Sequence, residues 1–398
     1  MIRRSLALVI CVLSLSQVFA EIPSSWPHER SDLAPDPAVT WETLPNGLRY
    51  ALRPNAEPKG RISLRFLVQV GSLHERDNEQ GLAHFLEHMA FRSAENHQDG
   101  SIVEKLQRLG IFGPDNTAFT TYDFTIYHLE LPNTDPETLK TALNVFRIYA
   151  DGLEFDQDVI NIERGVVLSE MVTRDTPGAR AGKAAGAFIY PQSRTTLRQP
   201  IGLEYHIRKM RAKQFQEFYD AWYRPERMLL TVVGEIEPEA VSNLIQEVFG
   251  SLEARGAPRA EPSLKTEKPT ETAKQAIGIH RDSASVGLGL SLSRVTFVPP
   301  KPADHARLVH DMNTSLAFHM LQKRINKMSR ERGSSHGNPQ VYYGSQIKGW
   351  RISSLSLPTK TMAWRLVVRA ADQELRRALL HGFTATELKT AKKYFSSY

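Results

Sequence analysis

Residues 81–92 read Gly81-Leu82-Ala83-His84-Phe85-Leu86-Glu87-His88-Met89-Ala90-Phe91-Arg92. The stretch reads as a helix that opens at Gly81 and follows a strand. On a helix, residues four apart share one face, one turn from each other. His84 and His88 are so placed, and two imidazoles in that arrangement can bind one metal ion. Glu87 lies three residues after His84, on the same side. It is too close to His88 to share the metal comfortably but well placed to touch a water on that metal. Zinc lowers the pKa of such a water to about 7. A carboxylate beside it can take the proton as the oxygen attacks a peptide carbonyl, then return it to the leaving amine.

A catalytic zinc takes three protein ligands. The helix expected over Asp156–Arg174 supplies candidates. Glu163 and Glu170 are two turns apart on it, among Val166, Val167, Leu168 and Met171, so both can face inward from a half-buried helix. Glu170 is the favoured third ligand and Glu163 the favoured support behind a ligand. The exchanged assignment stays open at this point.

Outward from these helices, Leu44-Pro45-Asn46-Gly47-Leu48 carries a hairpin signal. Ile62, Leu64, Phe66, Val68 and Val70 alternate as a strand does, and Phe124–Leu131 is a second strand stopped by Pro132. Helices are expected over Ser101–Leu109, Asp135–Ala150, Gln214–Trp222 and Glu237–Phe249, with a strand over Met228–Val233. Pro258, Pro262, Pro269 and Gly256, among many charges, give 253–275 a linker composition. The expected organisation is a signal peptide at 1–20, a loose polar arm at 21–40, a metal-binding αβ domain at 41–252, the linker, and a second αβ domain at 276–398. The class is α+β.

The second domain reads as a diverged copy of the first. Leu129-Glu130-Leu131-Pro132 ends a strand, a helix follows, and Phe155-Asp156 opens another helix. Leu355-Ser356-Leu357-Pro358 and then Phe383-Thr384 repeat that order at nearly the same spacing. The copy lacks the metal motif, and its His319 reads as a core residue. Thr384 and Glu387 form a capping box, yet Tyr398 follows with no terminal signal. The expectation is a fragment, or truncated product, of something longer.

Arg3 and Arg4 precede an apolar run from Leu6 to Leu15, and Val18-Phe19-Ala20 offers a cleavage site. The run is shorter than the ~20 residues of a spanning helix, so no stable membrane anchor is expected. The single cysteine, Cys11, lies inside this run, which leaves an exported chain without disulfides and restricts any metal site to His and carboxylate. The formal charge of +6 is mild and its basic residues are dispersed, which argues against a nucleic-acid partner. An exported protein, periplasmic or secreted, is the expectation.

These stretches together resemble the pitrilysin/insulysin/mitochondrial-processing-peptidase family of zinc metallopeptidases, whose H-x-x-E-H is the inverted zincin motif. The matching residues are Leu44–Tyr50, Gly71-Ser72 with Glu75, Gly81–Met89, Ile162–Glu170, and Trp222-Tyr223-Arg224-Pro225 before Val232-Val233-Gly234. The resemblance implies one zinc per chain on His84, His88 and Glu170, with Glu87 as general base and Glu163 in support. It implies αβ-rolls, antiparallel sheets flanked by helices, in homologous pairs that close around a peptide or unfolded protein. It also implies a C-terminal half or partner subunit that completes the chamber. Asp115–Thr120 resembles the family's edge strand, which would pair with substrate backbone at Thr117, Ala118 and Phe119. The family has Asn where Thr117 stands, a departure that bears on the side-chain contact and leaves the backbone pairing. The function implied is zinc-dependent endopeptidase action. The alternative is a fragment that holds zinc and peptide without turnover.

Overall fold

The computed structural model describes residues 25–92, 102–191, 193–262, 276–285, 287–298, 302–331, 338–347, 350–359 and 364–397. The expected signal segment at 1–20 lies outside them, as does most of the expected linker. The chain folds as α+β. In the first unit the elements run β1 (Thr40–Thr43), β2 (Arg49–Pro54), β3 (Ile62–Val68), α1 (Leu82–Arg92), α2 (Ile102–Arg108), β4 (Asn116–Thr120) and β5 (Thr125–Leu131). Then come α3 (Pro136–Asp151), α4 (Gln157–Arg174), α5 (Pro177–Ile189), α6 (Arg194–Leu197), α7 (Glu204–Ile207), α8 (Ala212–Trp222), β6 (Met228–Gly234) and α9 (Pro238–Phe249). The second unit runs β7 (Leu288–Phe297), α10 (His305–Glu331), β8 (Gln340–Ile347), β9 (Trp350–Thr359), α11 (Trp364–His381) and α12 (Ala385–Phe395).

Strict alternation makes the strands. β3, β5 and β6 each bury every second residue, with Ile62, Leu64, Phe66 and Val68 inward and Ser63 and Arg65 on the other face. Phe66 joins the sheet to two helices: its ring stacks on Phe146 of α3 at 5.4 Å and on Phe249 of α9 at 6.2 Å. Helices α3 and α4 are started by side chains that satisfy free N–H groups. Asp135 accepts from Thr138 N at the head of α3, and Asp156 from Asp158 N and Val159 N at the head of α4.

Among the described residues, the first sheet has the order β1-β2-β6-β3-β5-β4 and the second β7-β9-β8. The hairpin signal at Leu44–Leu48 joins β1 to β2, with Gly47 at φ 92°, where a side chain would be strained. The antiparallel sheet expected from the sequence is corrected here. β2 and β6 run parallel, because the long passage through α1 to α8 lies between them and returns the chain in the same direction. The other pairs are antiparallel. In both units a strand, a helical segment (α1 and α2 in the first, the single α10 in the second), two strands and two helices follow one another and build three adjacent antiparallel strands: β3-β5-β4 in the first, β7-β9-β8 in the second. The Thr384–Glu387 capping box forms, with Glu387 N donating to Thr384 Oγ1 at 3.2 Å and Thr384 N to Glu387 Oε2 at 2.8 Å.

Two stretches are tied down more firmly than their composition suggests. The polar arm expected at 21–40 is not loose in its described part. Trp26 is buried edge-on against Trp41, with Arg49 over its ring. In the expected linker, Arg255 pairs with Asp220, Arg259 bonds both oxygens of buried Glu79, and Glu261 pairs with Arg227 and His74. These partners lie far away in sequence, so local composition cannot show them.

The loop from β3 to α1 is held against the β4–β5 turn: Ser72 N donates to Thr121 O and Leu73 N to Tyr122 O. A Cβ on Gly71 would collide with Thr121 O and lie 2.7 Å from the Tyr122 carbonyl carbon, whereas one on Gly165, in α4, meets nothing within 4 Å. Gly71→Ala should therefore cost about 1–3 kcal/mol of stability by overpacking. Gly165→Ala should add about 0.5–1 kcal/mol by helix propensity. Urea unfolding of both variants checks this, and shifts of the same sign would contradict the packing described.

Candidate metal centre

Helix α1 lies across α4, and the two bring together the residues singled out in the sequence. His84 Nε2 is 3.4 Å from Glu170 Oε2, and His88 Nε2 is 3.1 Å from the same oxygen. Among the described residues, His84, His88 and Glu170 form a group whose potential ligand atoms all lie within 4.8 Å of one another. Glu163 stands behind His88: its Oε1 meets His88 Nδ1 at 2.8 Å, and its Oε2 accepts from Arg92 Nε at 2.9 Å. Glu170 Oε1 pairs with Arg174, one turn further along α4. Glu170 faces both histidines, and Glu163 reaches only the far nitrogen of one.

Burial sets the charges. His84 is pushed down to about 3 by burial, with His88 and Arg174 adding to the effect, so it is a neutral imidazole at any ordinary pH. Burial alone would lower His88 too, but its bond to Glu163 and the carboxylates of Glu87 and Glu170 outweigh it and hold it above its ordinary value. Glu163 is held below the usual carboxylate range: burial opposes ionisation, and His88 and Arg92 overcome it. Burial lifts Glu87 to about 7 against the hydrogen bond from Thr120.

The donor set fits zinc on its own chemistry. Two imidazoles and one carboxylate oxygen converge, and the carboxylate of Glu163 orients one imidazole from behind. His88 in the imidazolium form places a proton between its Nε2 and Glu170 Oε2, where a cation would otherwise lie. His84 Nδ1 is buried and finds no partner among the described residues.

Two further residues shape the site without a role in the sequence reading. Glu75 is fully buried and accepts from Gly81 N at 3.1 Å and Ala83 N at 2.9 Å. Gly81 has no side chain to cap α1, so Glu75 does that work from the preceding loop. Burial lifts it to about 8, against the pull of those N–H donors and Arg198. Arg194 in turn donates to Leu73 O and Glu75 O, fixing that loop. Thr120 ends β4 and donates to Glu87 Oε2 at 2.6 Å. An acidic residue shortly before a Gly-headed helix was a readable signal for Glu75. Nothing local signals the contact of Thr120.

The residues expected to bind substrate lie on β4, an edge strand of the first sheet among the described residues. Thr117 and Phe119 are on its exposed face, and Ala118 is half-buried on the other, which it shares with Thr120. In the second unit, His319 stacks on Tyr394 at 4.4 Å, in a half-buried packing position.

Residues 50–177 match the model of the insulinase family, peptidase family M16, and residues 209–395 match that of the peptidase M16 inactive domain. Over 213 residues, 53% of this chain, it is 36% identical to a probable zinc protease PqqL of Haemophilus influenzae. Over 215 residues, 54% of this chain, it is 34% identical to the probable zinc protease PqqL of Escherichia coli. In each case the match spans 23% of the relative's length. The crystal structure of the first half of the periplasmic protease PqqL from Escherichia coli matches with a TM-score of 0.78 at 25% identity, over 92% of this chain and 77% of that one.

A cation at this centre would favour ionised Glu87 and require an unprotonated His88 Nε2. At pH about 6, below the level near 7 where burial holds Glu87, zinc binding should therefore drive a proton from each. Glu87→Gln can lose only the His88 proton. Calorimetry in buffers of different ionisation heat should show about one proton fewer released by the variant, and equal release would contradict the charge assignment.

Proposed function

The chain belongs to the insulinase family of peptidases, M16, and from that premise we propose that it hydrolyses peptide bonds at one zinc ion held by His84, His88 and Glu170. One observation carries the reading: the Nε2 atoms of both histidines meet Glu170 Oε2 beside the carboxylate of Glu87. When bound, zinc supplies a Lewis acid that polarises a carbonyl and acidifies water. Glu87 takes the proton of the attacking water and hands it to the leaving nitrogen. Its pKa, raised by burial to about 7, suits a group that must both accept and release that proton. Glu163 keeps His88 oriented, and Arg92 keeps Glu163 ionised.

The substrate in this reading is an extended peptide or unfolded protein segment. It adds as a strand to the free edge of β4, bonding the backbone at Thr117, Ala118 and Phe119. Such docking gives affinity with little sequence preference. The shared succession of elements in the two units supports a duplicated αβ-roll, with the second copy a wall rather than a second metal site. The N-terminal signal pattern, together with relatives described as periplasmic, supports an exported protein. No described helix is long and apolar enough to cross a membrane.

A second reading is favoured by length: this chain holds zinc and peptide, and turnover needs a further half or partner subunit. The match spans 23% of the relatives, and α11 leaves Leu366, Leu379 and Leu380 exposed, apolar surface suited to another packed element. Peptide cleavage by this chain, alone and mixed with a separately made C-terminal half, separates the two readings.

Glu87→Gln should keep its zinc by elemental analysis and lose about 10²–10⁴-fold in peptide cleavage. His84→Ala, His88→Ala and Glu170→Gln should lose the metal itself. Undiminished zinc in the double histidine variant would sink the site assignment, and near-native cleavage by Glu87→Gln would sink the role of the base.

A further inference from the structure

Thr120 belongs to two devices at once. Its backbone is the last paired position of β4, opposite Thr125, on the strand at the edge of the sheet among the described residues. Its hydroxyl donates to Glu87 Oε2 at 2.6 Å, across 33 residues of sequence. The direction of that bond follows from counting protons. Thr125 spends its single hydroxyl proton on Val70 O at 2.9 Å. Any bond across the 3.4 Å between the two threonine hydroxyls must therefore be donated by Thr120. A carboxylate at 2.6 Å outcompetes a hydroxyl at 3.4 Å for the one proton Thr120 has. Glu87 Oε2 is thereby held, and Oε1 is left for proton transfer.

The position of Thr120 is itself over-determined. Thr121 N donates to Phe124 O at 2.8 Å, and Thr121 Oγ1 bonds both the N–H and the C=O of Phe124, closing the turn directly after β4. The Thr121 and Tyr122 carbonyls accept from Ser72 N and Leu73 N of the loop that leads into α1. The end of the edge strand and the start of the helix bearing the histidines are thus one bonded junction.

We propose that Thr120 is a positioning residue that registers the Glu87 carboxylate to the edge strand, so that a backbone docked on β4 meets a base of fixed rotamer. The proposal rests on the hydrolytic reading above and adds a residue to it. It acts on the reacting step more than on docking, because the β4 backbone edge is unchanged when the hydroxyl is removed.

The test compares Thr120→Val with Thr120→Ser in the zinc-loaded chain. Valine keeps the β-branched shape without the hydroxyl, and serine keeps the hydroxyl without the methyl. With zinc content equal to the wild type, Thr120→Val should lower kcat about ten- to a hundredfold while KM stays within about twofold, and Thr120→Ser should recover most of the loss. A second readout does not need turnover: affinity for a phosphinic peptide, which mimics the tetrahedral adduct. Thr120→Val should weaken it about tenfold and Thr120→Ser should restore it, while an unreactive reduced-bond peptide binds all three alike. If the wild-type chain cleaves nothing, the hydrolytic reading fails on that ground, and Thr120 is judged on the phosphinic peptide. Native kcat and native phosphinic affinity in Thr120→Val overturn the proposal. So does Thr120→Ser behaving worse than Thr120→Val, the order that a purely packing role requires.

Discussion

The structure turns on one imidazole. His88 is gripped at both ring nitrogens by carboxylates of a single helix, Glu163 on Nδ1 and Glu170 on Nε2, across the crossing of α1 and α4. Two acceptors two helical turns apart on α4 set both the distance between the helices and the rotation of α1 about its axis. Once α1 is so rotated, His84 falls beside the same Glu170 oxygen, and Glu87 turns toward β4. The cost of burying these groups is offset by their mutual pairing, with Arg92 and Arg174 neutralising the carboxylates' outer oxygens.

Around that grip, the fold supplies stiffness at both ends of α1. Glu75 holds the N-terminal N–H groups of the helix from a loop that Arg194 fixes, and the same loop is bonded to the turn after β4. The expected linker contributes as well: Arg259 pairs with Glu79, in the stretch just ahead of α1. A site whose geometry must hold to a fraction of an ångström is thus braced by its sheet edge, its helix cap and the strap that leads to the second unit.

Much of this was legible in the sequence because the decisive signals are local. The spacing of His84, Glu87 and His88 puts three groups on one helix, and the spacing of Glu163 and Glu170 puts two on another. Alternation found β3 and β5, the strand expected at Met228–Val233 formed as β6, and the Asp135 and Asp156 caps opened α3 and α4 where the pattern placed them. What stayed hidden is non-local. β2 buries four residues in a row, Arg49 to Leu52, so alternation does not read it, and nothing local says that its neighbour is β6, running parallel after a long passage through helices. Arg255, Arg259 and Glu261 look like linker charges until their partners Asp220, Glu79 and His74 are seen in space. Helix α5 was missed because Gly178, Gly182 and Gly186 lower its propensity, although Thr176 and Pro177 at its head were a readable start.

The central claim is that one metal ion is held by two imidazoles and one carboxylate at the crossing of α1 and α4. X-ray absorption at the zinc edge of the purified chain tests it most directly. The account predicts a first shell of two imidazole nitrogens and one carboxylate oxygen, with a non-protein light atom beside them, all at about 2.0–2.2 Å. Its outer-shell scattering should be that of two histidine rings, and the signal should disappear when His84 and His88 are both replaced. A shell of oxygen alone, or of a single imidazole, or one unchanged in that double variant, would contradict it.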